Sequence, residues 1–257
     1  MAFAVAAATV AVGLLWSGIG SGDRLHATAA LNPAALPAAP APALRIGRPD
    51  RLPSSRFLSR WTVVRTPAIA RSRPSVGAPA IAEVGPSTPE GTANVVMVLR
   101  SRVSAGALWV EVRLPVLPNG TVGWLRRRAL GAYETVDTRL VVDRPSLRAT
   151  LYRNGIAILS APVGIGTESS PTPPGEFTIR SELTRYASPF YGPIAFGTTA
   201  RSAVLTDWPA GGFVGIHGTN EPELIPGHVS HGCIRMRNSD LLRLAALMPV
   251  GTPLTIR

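Results

Sequence analysis

Lysine is missing from this chain of 257 residues: all 26 basic residues are arginine, set against 15 acidic ones, for a formal net charge of +11. Cysteine occurs once, which excludes an internal disulfide. Charged residues make up only 16% of the chain, and 25 prolines accompany 25 glycines. Such a composition excludes long solvated helices and favours strands, turns and a loose linker. The arginine excess, with the alanine, proline and glycine content, is what coding DNA rich in G and C produces. Its functional counterpart is a polyanionic partner: nucleic acid, anionic lipid or an anionic wall polymer. Nucleic acid finds no support, because the basic residues are scattered. Their longest run is Arg126-Arg127-Arg128, and no helix-turn-helix or aromatic RNA platform accompanies it.

Charge is also missing from residues 1–22, and Asp23 is the first charged position. Met1 to Trp16 is almost unbroken Ala, Val, Leu and Phe, which resembles an export signal or a short membrane anchor. About 20 helical residues just cross a hydrocarbon core of roughly 30 Å. The basic stretch that normally precedes such a run is absent, which marks an atypical signal or a start upstream of Met1. Ala27-Thr28-Ala29 is a small-residue cleavage candidate. The competing assignment is a buried core helix, but Ala- and Pro-rich sequence follows instead of a folded domain. Residues 23–60 read as an extended Ala/Pro-rich linker, since proline removes backbone donors and favours polyproline II.

Two β patterns follow. In residues 61–131, Val95 to Leu99, Trp109 to Arg113 and Gly123 to Leu125 read as strands, with a tight turn at Asn119-Gly120. Residues 138–257 begin with the strand Arg139 to Asp143. Strands Leu147 to Arg153 and Ile156 to Pro162 are joined by Asn154-Gly155, a strong hairpin signal. Phe213 to Ile216 is a buried strand that runs into His217. Asn238-Ser239-Asp240 reads as a capped helix start, followed by apolar residues at helical spacing from Leu241 to Leu247, and Leu254 to Ile256 as a last strand.

The chemistry-bearing residues are concentrated in one place. Three of the four histidines and the single cysteine lie within residues 217–233: His217, His228, His231 and Cys233. Cysteine is a good nucleophile only as the thiolate, and a nearby histidine is the usual device for making one. An unpaired thiol in an oxidising compartment needs a reason, and catalysis supplies it. A thiolate–imidazolium pair would be self-activating. The competing assignments are a buried structural cysteine and a zinc site built from these four side chains. Their spacing matches no common finger or metalloprotease pattern. Papain-like peptidases also pair Cys with His, but there the cysteine precedes the histidine, and no histidine follows Cys233 here.

Ile216-His217-Gly218-Thr219-Asn220 and Ser230-His231-Gly232-Cys233-Ile234-Arg235-Met236, with Thr172-Pro173-x-Gly175-x-Phe177 upstream, resemble the signature of the YkuD-type L,D-transpeptidases. The resemblance covers residues 138–257. It implies a mainly β fold: an L,D-transpeptidase-type β-sandwich with one short helix. Trp109 to Pro115 and Pro118 to Leu125 resemble the end of a bacterial SH3-like barrel, which implies a small β-barrel in front, with Trp109 and Trp124 filling its core.

The transpeptidase resemblance implies roles residue by residue. Cys233 is the nucleophile and His217 its base. Gly218 orients the imidazole through its carbonyl, and His231 and Gly232, with the Cys233 amide, shape an oxyanion pocket. Ser230 and Arg235 contact substrate or steady the site, and His228 is an exposed bystander. The implied substrates are peptidoglycan stem peptides, as donor and acceptor of a 3→3 cross-link made through a Cys233 thioester. Attack by water would instead make an L,D-carboxypeptidase, and an inactive domain would leave a wall-binding protein. No cofactor, metal or nucleic acid is implied. Carbapenem inhibition, an extracytoplasmic location facing the wall, and membrane attachment through an uncleaved N-terminus are.

Overall fold

The computed structural model describes residues 57–184, 189–206 and 212–257; the apolar segment 1–22 and nearly all of the proposed linker fall outside the described residues. No helix among the described residues is long and apolar enough to cross a membrane.

The first β domain opens at Ser59, inside the range read as linker. It comprises β1 (Ser59–Val63), β2 (Ala68–Arg71), β3 (Ala80–Val84), β4 (Val95–Ser104), β5 (Ala107–Arg113), β6 (Val122–Arg126) and β7 (Glu134–Val136). These form one sheet in the order β3-β2-β6-β5-β4-β1-β7. β4 and β5 run further than the sequence suggested because Ala105-Gly106 adopts positive φ at both positions. That is the backbone of a two-residue turn whose twist matches the flanking strands. Inward positions, among them Val96, Val110, Val112 and Leu125, build a core of their own. Trp109 and Trp124 are buried, with Arg126 and Arg100 respectively standing over their rings.

The second domain comprises β8 (Thr138–Asp143), β9 (Arg148–Arg153), β10 (Ile156–Pro162), β11 (Gly164–Gly166), β12 (Gly175–Leu183), β13 (Ala195–Arg201), β14 (Phe213–His217), β15 (Gly227–Ser230), β16 (Ile234–Arg235), α1 (Asn238–Ala245) and β17 (Pro253–Ile256). Strand order is β10-β9-β8-β17-β12-β13-β14-β16-β11-β15. The Asn154-Gly155 hairpin forms where expected, with φ of 49° and 81°. β12 links two halves of the sheet: its first residues, Gly175 to Thr178, pair with β17, and its later ones, Ile179 to Leu183, pair with β13. Both halves bury side chains in a single cluster, which joins Leu140, Leu151 and Phe177 to Phe196, Ile216 and Ile234. Two faces around one core make the expected β-sandwich.

Helix α1 closes that core with Leu241 and Leu244, both fully buried. Each such leucine contributes roughly 1.5–3 kcal/mol relative to exposure. Its start departs from the sequence reading. Arg237 is the cap position and makes no side-chain capping bond, since a guanidinium offers no acceptor, and the side chain of Asn238, the first helical residue, is used elsewhere, as described below.

The two β domains meet at several specific contacts. Gly251 has φ +86°, and a Cβ there would overlap the Trp61 indole, so the glycine serves both its turn and the close approach. Arg113 Nη1 donates to the Glu176 carbonyl at 2.9 Å. The Arg180 guanidinium, only 2% exposed, meets Glu90 at 2.5 Å. The Asn119 side-chain amide bonds both ways to the Arg201 backbone, donating to its carbonyl at 2.7 Å and accepting from its N–H at 3.0 Å.

Candidate active site

β14 ends at His217, and β16 begins one residue after Cys233. The two strands run parallel, with Ile216 opposite Ile234 and His217 opposite Arg235. This register brings together residues sixteen positions apart. His217 and Cys233 line one pocket of about 290 Å³, together with Tyr191, Phe213, His231 and Arg235.

The turn carrying Cys233 is held from below. The Ser230 hydroxyl donates to the Cys233 carbonyl at 2.5 Å and accepts the Gly232 N–H at 3.1 Å. Gly232 has φ +113°, a conformation that side chains other than glycine's rarely allow. Thr172 is buried and bridges two strands' worth of backbone. Its hydroxyl donates to the Gly232 carbonyl at 2.8 Å and accepts the Gly166 N–H at 2.9 Å. Pairing otherwise orphaned buried backbone groups in this way is what fixes a turn.

The imidazole is mounted with equal constraint. His217 is 4% exposed, and its Nδ1 lies 2.7 Å from the Gly218 carbonyl. A carbonyl only accepts, so Nδ1 carries the proton and the neutral ring keeps its lone pair on Nε2. The Gly218 N–H donates to the Tyr191 carbonyl at 2.8 Å, and the Tyr191 ring lies 4.6 Å from the imidazole, tilted by 57°. The His217 carbonyl accepts the Met236 N–H at 2.9 Å. Asn238 Oδ1 accepts the Thr219 N–H at 2.9 Å, tying the segment after His217 to the start of α1. A Cβ on Gly218 would overlap that same amide oxygen, so the glycine gives Asn238 its room.

Burial dominates the electrostatics. It pushes the Cys233 thiol up, against the opposing effects of the Gly215 N–H, which donates to Sγ at 3.4 Å, and the nearby Arg235 charge. It also lowers His217 from its ordinary 6.5 to about 4, with Arg235 adding to the drop and the Gly218 hydrogen bond opposing it. Both shifts run toward the uncharged forms of the two groups. Desolvation of the two charges works against the thiolate–imidazolium pair that the cluster suggested. The arrangement suits general-base chemistry, in which the proton leaves sulfur as sulfur attacks.

A family model for the L,D-transpeptidase catalytic domain matches residues 137–256. A protein of Bacillus licheniformis named as an L,D-transpeptidase, YkuD, is 36% identical over 123 residues, covering 48% of this chain and 67% of the relative. The chain belongs to the YkuD-type L,D-transpeptidase family. The Bacillus subtilis protein of the same name is also 36% identical, over 122 residues, with the same coverage. Among solved structures, an avibactam carbamoyl enzyme is 25% identical with a TM-score of 0.37, and a cysteine-to-serine mutant of the Enterococcus faecium L,D-transpeptidase is 23% identical with a TM-score of 0.36. Each comparison covers 47% of this chain, which spans about half the length of either structure.

Within this L,D-transpeptidase domain the residues named from sequence separate into three groups. Cys233, His217, His231 and Arg235 share the pocket, and the Gly218 carbonyl makes the contact with the imidazole that the resemblance implied. Ser230 also lines the pocket, and it is bonded to Gly232 within the turn that carries Cys233. The Ser230 hydroxyl bonds inside the turn, to the Cys233 carbonyl and from the Gly232 N–H. The Gly232 N–H already donates to Ser230, so its part in an oxyanion pocket reduces to setting the turn. His228 is exposed, lies outside the pocket lining and bonds through Nδ1 to the Gly166 carbonyl at 3.2 Å. Among the described residues no three His, Cys, Asp or Glu side chains converge as a metal-ligand set.

Four contributors escaped the sequence reading. Thr172 was visible only as part of a motif. Asn238 was taken for a helix cap. Gly215 and Tyr191 act through backbone groups, which residue type does not advertise. Arg235 has an ion-pair partner, Glu221, at 3.6 Å.

Proposed function

We propose that this protein is a peptidoglycan L,D-transpeptidase working through a Cys233 thioester. The observation that carries the reading is the shared pocket. The Cys233 thiol lines the same pocket as a buried imidazole whose Nδ1 is anchored on Gly218 and whose Nε2 keeps its lone pair.

Cys233 Sγ attacks the carbonyl between the third residue of a stem tetrapeptide, at its L-centre, and the terminal D-Ala. His217 Nε2 takes the thiol proton and returns it to the departing D-Ala amine. A side-chain amine of a neighbouring stem then attacks the thioester, giving a 3→3 cross-link and regenerating the thiol. In this reading the backbone N–H groups of His231 and Cys233 hold the developing oxyanion, a contribution of about 2.7–4 kcal/mol per donor in other enzymes. Arg235, balanced by Glu221, supplies a positive charge near a carboxylate-bearing donor.

The proposed setting is outside the membrane. The uncharged residues 1–22 support it as a signal or anchor, and residues 23–60 as a spacer in front of a domain read as SH3-like. Fractionation that finds the native protein in the cytoplasm would contradict both the location and the substrate.

The decisive experiment is incubation of the purified protein with a defined disaccharide-tetrapeptide, followed by product mass analysis. Cross-linked dimer is expected, whereas tripeptide alone would mark a carboxypeptidase and no product an inert wall-binding module. Cys233→Ala and His217→Ala should each abolish turnover without unfolding the domain. Carbapenem should leave a covalent adduct on Cys233. A folded parent protein without that adduct sinks the mechanism.

A further inference from the structure

Phe213 forms part of the pocket wall and is held by residues that do not belong to its own core. The Arg180 guanidinium carbon lies 3.7 Å from its ring centroid, and that of Arg201 lies 4.8 Å away. Two cations over one aromatic ring attract the ring but repel each other. Arg180 is 2% exposed, and its carboxylate partner, Glu90, comes from the first β domain. A buried guanidinium keeps its place only when its charge is compensated. Arg201 stands opposite Phe213 in the β13–β14 pairing, beyond the point where the register shifts after Gly197. Past that irregularity the strand is secured by Asn119, whose amide bonds Arg201's N–H and carbonyl as a neighbouring strand would. Next along the chain, Ser202 lines the pocket, and its N–H donates to the Gly212 carbonyl, one residue before Phe213.

We propose that the first β domain is a working part of the pocket: Glu90 and Asn119 hold Arg180 and Arg201, and these set Phe213 as the wall against which the donor peptide packs. Glu90, Asn119, Arg180 and Arg201 are positioning residues, acting through Phe213. The inference rests on the transpeptidase reading and adds that donor recognition depends on residues outside the catalytic domain.

The test uses the full chain carrying Glu90→Gln or Asn119→Ala, with Arg113→Ala as comparator. Arg113 also bonds across the two domains, at Glu176, but touches neither Phe213 nor its two arginines. Donor tetrapeptide kinetics, iodoacetamide alkylation of Cys233, and hydrogen exchange of the peptide spanning residues 212–217 are measured on each. Glu90→Gln and Asn119→Ala should each raise KM for the donor about tenfold with kcat changed less than threefold. Exchange at 212–217 should quicken in both, iodoacetamide reactivity should stay at the parental rate, and Glu90→Asp should restore part of the loss.

Parental KM and parental exchange in both variants overturn the proposal. So does an Arg113→Ala protein that loses donor affinity to the same degree, since the domains would then matter only as a stabilising whole. A parent protein that alkylates normally but ignores every tetrapeptide refutes the transpeptidase reading instead. The exchange data would still decide whether Glu90 and Asn119 hold Phe213.

Discussion

Replacing Thr172 by valine removes one oxygen and keeps the shape, so it isolates the bridge beneath Cys233. The hydroxyl serves two buried backbone groups, the Gly166 N–H at 2.9 Å and the Gly232 carbonyl at 2.8 Å, and Thr172 itself is 1% exposed. Each group left without a partner costs about 1–3 kcal/mol, while the added methyl recovers roughly 1 kcal/mol of burial, for a net loss of about 3 kcal/mol. In a protein of this size that lowers the melting temperature by about 6–12 °C. The variant should also alkylate at Cys233 with altered rate, because the Gly232 carbonyl is released and the turn can rotate. Thermal unfolding of Thr172→Val beside Thr172→Ser measures it: the serine keeps the oxygen and should stay within a few degrees of the parent. A valine variant that melts with the parent would show that neither backbone group depends on this hydroxyl, and the account of how the turn is held would fail.

Acid should weaken the fold through His217. Its folded value of about 4 lies below the ordinary 6.5, so the unfolded chain binds the extra proton between those limits. Stability is then complete above about pH 6.5 and falls as the pH drops toward 4, by about 3 kcal/mol at roughly 1.4 kcal/mol per pH unit. Denaturant titrations across that range, with His217→Gln as the variant that should flatten the slope, test the assignment. The alkaline side has the opposite sign. Cys233 is raised above its ordinary value of 9.0, so its contribution is complete below that pH and is lost as the pH climbs toward the folded value. Alkylation of Cys233 by iodoacetamide in the empty protein should therefore keep rising into the alkaline range. A rate that is already flat from pH 5 upward would reveal a standing thiolate and defeat the neutral-pair description.

Much of the fold was legible because its signals are local. Asn154-Gly155 fixes a hairpin by backbone sterics alone, and the strand into His217 announces itself as an apolar run before a polar end. The β13 strand and the length of β12 left weaker traces, since Thr, Ser and Gly positions such as Ser181, Thr198 and Thr199 are buried by pairing on both sides and not by hydrophobicity. The site shows the same division. Cys233 and His217 could be named from residue type, because few other roles explain a lone cysteine beside clustered imidazoles. Ser230 was named through the resemblance alone, and residue type did not show that its two hydrogen bonds close the turn carrying Cys233. Asn238 misled. Its residue type suits a helix cap, but the Thr219 N–H, nineteen residues upstream, claims the oxygen first.

The upward push on the Cys233 thiol bears on why a single unpaired cysteine is tolerable in a protein proposed to work outside the membrane. Oxidation of cysteine follows thiolate character and exposure. Burial, which pushes the thiol up, works against the thiolate an oxidant needs, and the single cysteine leaves no second thiol in the chain for a disulfide. Reactivity is then conditional on substrate. In the proposed mechanism, a carbonyl seated near Sγ would let the proton pass to Nε2 as the bond forms, and the growing oxyanion would offset the imidazolium so created. The anchoring of Nδ1 on a carbonyl, in place of a carboxylate, fits this scheme. A carboxylate would stabilise the imidazolium before substrate arrives and favour the ion pair at rest, whereas a backbone carbonyl fixes the tautomer with a weaker pull toward charge.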